Sequence, residues 1–210
     1  MGKRSTSSKA SDTSSLWSVP SSKPEHGAFQ RLKAQIVFAR FERDISQIIP
    51  GQVRVDIEAL NIAKYFLVHV KNLTVTDTKL MKGEAVIPLD SAFEHQENEY
   101  WVVIPSSPAQ AGNYSLHLEF DGSLVIGITG FYKSVYKNSE GAEVPIATSK
   151  FQPTDARKAF PCFDEPSFKS TFTVTLIRPS EGYIALSNMP VHQETMNVPS
   201  TGIVYILLFF

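Results

Sequence analysis

The sequence predicts a mainly β protein, an antiparallel β-sandwich with one short helical turn region. Three observations point there. Apolar residues recur at period two in most of the chain, residues suited to chain reversal separate those runs, and a single proline-punctuated stretch breaks the pattern.

Residues 1–27 are rich in Ser, Thr, Lys and Pro and lack apolar periodicity. Ordering them would cost backbone entropy with little burial to offset it, so a disordered Ser-rich tail is expected. In the lead-in at 28–50, Leu32, Ile36, Val37 and Phe41 have a spacing that suits a short helix, while Ile36-Val37-Phe38 suits a strand equally well.

From residue 51 the strand signal is plain: Val53, Val55, Ile57 and Ala59 alternate with Arg54, Asp56 and Glu58, giving one apolar and one solvated face. Further strands are predicted at 65–70, 73–76, 100–104, 114–120 and 171–177. Lys82-Gly83, Pro105-Ser106-Ser107-Pro108, Ala111-Gly112-Asn113 and Asp121-Gly122 supply the reversals between them. Two sheets packed face to face are therefore expected, with Trp101, Phe131, Tyr132 and Phe172 in or against their core. Between residues 148 and 166 the alternation stops. Pro153 suits the first turn of a helix, Thr154 and Asp155 suit its cap, and Pro161 disfavours helix just before itself, so one or two helical turns fit between.

The chain has 210 residues, 42% of them hydrophobic, enough for a real core. Its net charge of -1 offers no basic field for nucleic acid. Cys162 is the lone cysteine, which excludes an internal disulfide and zinc sites built from several thiolates. No apolar signal-peptide core follows Met1, and the terminal run from Gly202 to Phe210 is too short to span a bilayer as a helix. That run reads as a buried strand or an abnormal tail. Asn72-Leu73-Thr74 and Asn113-Tyr114-Ser115 fit the N-glycosylation pattern, which matters only for a chain entering the secretory pathway.

The segment Phe151-Gln152-Pro153-Thr154-Asp155-Ala156-Arg157-Lys158-Ala159-Phe160-Pro161-Cys162-Phe163-Asp164-Glu165-Pro166 carries a resemblance, together with Gly130-Phe131-Tyr132-Lys133-Ser134 before it and Ala185-Leu186-Ser187-Asn188-Met189-Pro190 after it. In order and spacing, these three motifs resemble the N-terminal domain of the membrane alanyl aminopeptidase family, with the oxytocinase-like and glutamyl aminopeptidase branches the nearest. The resemblance implies a saddle-shaped β domain over residues 51–191 that closes one side of the substrate cleft of a zinc domain. In that second domain the family uses His-Glu-x-x-His and a downstream Glu to hold zinc. None of the five histidines here forms such a pair, so no metal ligands and no catalytic residues are assigned.

By the same resemblance, Gln152 reaches toward the substrate's first side chain, although as a loop amide it could equally satisfy nearby backbone. Lys150 matches a pocket position, where a cation would disfavour basic first residues. Arg157 is expected to form an ion pair tying the helical turn to Asp164-Glu165-Pro166. Cys162, among apolar neighbours, is expected to be packing.

The chain departs from the family at both ends. The family's first strand is replaced by residues 34–50, which is expected to leave the sheet short of an edge partner. After Val191 the chain diverts, so residues 192–210 read as an aberrant, truncated tail whose uncharged run would seek another strand edge. The functional expectation is the non-catalytic N-terminal domain of a zinc aminopeptidase, inactive alone. The alternative is a truncated isoform acting as a binding or decoy module on a full-length aminopeptidase. Expected partners are peptide N-termini and the zinc domain. Family members are plasma-membrane ectoenzymes or lie in the secretory pathway; the sequence does not place this chain.

Overall fold

The alternation from Val53 to Ala59 becomes the inner face of a central strand: Val53, Val55, Ile57 and Ala59 are buried while Gln52 and Arg54 face solvent. The structure is a computed structural model that describes residues 29–38, 48–179, 183–198 and 202–209. The tail expected to be disordered at 1–27 lies outside those residues.

Thirteen strands are described: β1 (Phe29–Phe38), β2 (Ile48–Ala59), β3 (Phe66–His69), β4 (Thr74–Lys82), β5 (Ala85–Ile87), β6 (Leu89–His95), β7 (Tyr100–Pro105), β8 (Gly112–Ser123), β9 (Gly130–Lys137), β10 (Glu143–Lys150), β11 (Ser170–Pro179), β12 (Val191–Val198) and β13 (Gly202–Phe209). They form an eight-stranded sheet in the order β12-β13-β11-β1-β2-β8-β4-β5, a three-stranded sheet β3-β7-β6, and the hairpin β9-β10. All pairings are antiparallel except β1 with β11. Helix is confined, among the described residues, to two 3-10 turns at Gln96–Asn98 and Ala156–Lys158.

Register explains the core. Val53, Val55 and Ile57 of β2 face Leu118, Leu116 and Tyr114 of β8. This buried face joins Ile36 of β1 and Leu80 of β4, and the core cluster takes in Phe66, Val68 and Val103 of the smaller sheet. The expected sandwich is thus present. Trp101, Phe131 and Phe172 are half-buried and pack against this core. Gly51 makes room within the large sheet for its cross-strand partner on β8: a Cβ there would lie 2.3 Å from the Phe120 ring.

Two expectations at the ends are revised. The lead-in contributes β1, which lies inside the large sheet between β2 and β11 and does not leave it short of a partner. The terminal run forms β13, hydrogen-bonded to β11 on one side and β12 on the other, so its backbone is satisfied within the chain. The sheet edges are β12 and β5 instead.

Candidate functional site

The proline-punctuated segment follows the β9-β10 hairpin. Gly130 opens β9 at φ +78, opposite Lys150 at the end of β10, and a Cβ on it would come within 2.8 Å of Lys158 Cβ. Only glycine accepts both that backbone and that approach. Lys150 and Gln152 are both exposed, with half-buried Phe151 between them, and the Gln152–Pro153 bond is cis. Phe151 meets Phe160 edge to face, with ring centroids 6.0 Å apart, and Phe160 meets Phe172 at 6.3 Å. These contacts hold Phe151, the residue immediately before the exposed Gln152 amide.

The turn is a single 3-10 turn at Ala156–Lys158, the lower end of the one or two turns expected. Asp155 precedes it without a side-chain capping bond; its carboxylate instead pairs with Lys158 at 2.7 Å. Lys158 Nζ also donates to Thr129 Oγ1 at 3.1 Å, joining the turn to the strand-flanking loop before β9.

The predicted ion pair is present. Arg157 Nε donates to Asp164 Oδ2 at 2.9 Å, and Arg157 also donates to the Asp164 carbonyl at 3.3 Å. A second carboxylate, invisible to the local sequence, completes it: Glu99 accepts from Arg157 at 3.0 Å and also pairs with Lys71. Backbone bonds run alongside, from Lys71 N–H to the Arg157 carbonyl at 3.0 Å and from Val70 N–H to the Glu99 carbonyl at 2.8 Å. Glu99 sits at φ 56, in the left-handed region, directly after the Gln96–Asn98 turn.

Electrostatics follow from this arrangement. The Lys71 bond, with Arg157 adding to it against burial, holds the Glu99 carboxyl below its ordinary range. Burial works against the Arg157 charge, but the bonds to Asp164 and Glu99 outweigh it and keep it raised. Both partners of the Arg157–Asp164 pair are nearly buried, at 11% and 12% exposed, so the pair is little screened.

Past the turn the chain closes over the free edge of β3. Cys162 and His69 exchange both backbone bonds, at 2.7 and 3.2 Å, and the His69 ring accepts from the Asp164 N–H at its Nδ1, 3.2 Å away. The same ring meets Tyr100 at a steep angle, with centroids 4.9 Å apart. The sequence, with no histidine near Cys162, gave no sign of this neighbour. It does not make the thiol a nucleophile: Nδ1 is already engaged, and burial pushes the Cys162 thiol well up.

The structure therefore joins Arg157, Asp164 and Cys162 in one half-buried knot and leaves Lys150 and Gln152 at its exposed rim. Asn72 and Asn113 lie away from each other in sequence and both are exposed, Asn72 at φ 57 in the turn before β4 and Asn113 near the start of β8. No group of three or more His, Cys, Asp or Glu that could hold a metal occurs among the described residues.

Comparisons with known proteins agree with this architecture. The family model of the Peptidase M1 N-terminal domain matches residues 23–205. Glutamyl aminopeptidase of Bos taurus is 33% identical over 189 residues, covering 83% of this chain and 20% of that protein. Glutamyl aminopeptidase of Homo sapiens is 38% identical over 153 residues, 69% of this chain and 16% of that protein. Endoplasmic reticulum aminopeptidase 1 of Homo sapiens is 35% identical over 146 residues, 67% of this chain and 15% of that protein. The chain thus spans at most 20% of the length of these relatives. By the match over residues 23–205 and by its β-sandwich, the chain belongs to the M1 aminopeptidase family, as an N-terminal domain.

Proposed function

We propose that the chain serves as the non-catalytic N-terminal domain of a zinc aminopeptidase that removes N-terminal residues from peptides, and that it forms one wall of the substrate pocket in the intact enzyme. The observation that carries this reading is the exposed Gln152 amide, presented beside Lys150 on a segment anchored by Arg157, Asp164 and Glu99. An amide held this way can donate to or accept from a substrate's terminal residue, and Lys150 beside it disfavours a basic one. Zinc and the groups that activate water belong, in this reading, to the remainder of the enzyme.

A docking surface is supported by exposed apolar side chains on and before the β9-β10 hairpin. Ile126 and Ile128 are 86% and 76% exposed just before β9, and Val135 and Tyr136 are exposed within it. Such residues mark a surface that gains by being covered. The same face serves the second reading, a decoy module that occupies a full-length relative. In either case, a chain that enters the secretory pathway would carry glycan at exposed Asn72 or Asn113.

The test is reconstitution in trans. A glutamyl aminopeptidase relative lacking its own N-terminal domain is mixed with this chain, and binding and peptide turnover are measured. Recovered turnover that falls with Q152A supports the wall; binding without turnover supports the decoy; no binding overturns both.

A further inference from the structure

We propose that His69 is an acid-sensitive clasp: its neutral ring fastens the segment at 160–166 to the edge of β3, and protonation of that ring releases the segment. This inference stands apart from the pocket reading, because it concerns how the segment is held and not what it binds.

The geometry sets the requirement. Nδ1 of His69 accepts the Asp164 N–H at 3.2 Å, so the ring proton must sit on Nε2 and the ring must be uncharged. A proton added at Nδ1 would point at that N–H, and the two donors would repel. Release of Asp164 then loosens its carboxylate from Arg157 and strains the paired bonds between His69 and Cys162.

The groups facing the ring come from three elements. Arg157 on the 3-10 turn disfavours a charged imidazole, whereas Asp164 and Glu165 on the following loop favour one. Tyr100 of β7 packs its ring against the imidazole, with its hydroxyl raised by burial and so uncharged. Burial is the largest influence, and with Arg157 it outweighs the two carboxylates and the Cys162 backbone carbonyl, all of which favour the charged ring, so His69 titrates below its ordinary range.

The sign follows. The unfolded chain takes up this proton at higher pH than the folded one, so the clasp is fully formed above about pH 6.5 and weakens as pH falls below it. Asp164 already has Arg157 as a close partner, and an imidazolium would have to compete with that guanidinium to recover what the lost bond supplied.

Hydrogen exchange on the full chain tests this, read by mass spectrometry on peptides spanning 160–168 and corrected for the intrinsic effect of pH. Between about pH 7.5 and about pH 5.3, protection there is expected to fall about fivefold, the worth of one hydrogen bond, while peptides from β2 and β8 hold theirs. In H69N the amide oxygen can accept the same N–H without titrating, so the fall should vanish. E99Q, which alters the carboxylate that titrates lower, should keep it. Unchanged wild-type protection over that range overturns the clasp, and so does an equal fall in H69N. If H69N does not fold, the wild-type His69 ring signal followed by NMR decides: it must titrate together with the Asp164 amide, and independent titration overturns the proposal.

Discussion

Arg157 concentrates more of the molecule's electrostatics than any other described side chain, with bonds to Asp164 and Glu99 while only 11% exposed. Removing it leaves two carboxylates short of their cation in a partly dry site. R157M is expected to lose about 3 kcal/mol of stability, read from the urea midpoint at constant slope. The same knot gives a pH dependence in acid. Because the Lys71 bond first, and Arg157 with it, lower the Glu99 pKa in the folded state, its contribution is present above the unfolded value of about 4.5 and is lost as pH falls below it. E99Q should flatten that part of the stability profile below about pH 4.5 and leave the region near neutrality unchanged.

How much of this was legible depended on sequence distance. Arg157 and Asp164 are seven residues apart, within one punctuated segment, and their pairing could be read directly. Glu99 lies 58 residues from Arg157, and His69 lies 95 from Asp164. Their meeting depends on β3 presenting its edge to that segment, which no local pattern announces.

At the scale of the element, alternation was a sound guide wherever one face of a strand meets the core, as Val53, Val55 and Ile57 do. At 65–70 a strand is predicted from a near-continuous apolar run, not from alternation, and β3 there has all four residues buried, with Cys162 hydrogen-bonded along its edge at His69. Alternation could not tell that the lead-in and the terminal run belong in one sheet, since the β1–β11 pairing is parallel and joins residues more than a hundred apart. Deleting residues 202–210 should expose the β11 edge that β13 now pairs, and aggregation of the shortened chain by light scattering is the expected outcome. Gly130 offers a sharper test of the turn after the hairpin. G130A forces a side chain into the left-handed region and against Lys158, and is expected to cost about 1–3 kcal/mol, whereas an alanine at exposed Gly141 costs only the backbone penalty.

For the whole molecule, a β-sandwich carries an anchored segment with an exposed amide and exposed apolar side chains on and before the β9-β10 hairpin. The relatives it matches are several times its length. Within the anchored segment, His69 accepts a backbone proton, Cys162 is buried and protonated, and the Arg157 charge is matched by two carboxylates. The most direct measurement is hydrolysis of aminoacyl-fluorophore substrates by the purified chain with zinc supplied. The account predicts no turnover above background and no tightly held stoichiometric zinc; zinc-dependent release of the fluorophore, abolished by a chelator, would contradict it.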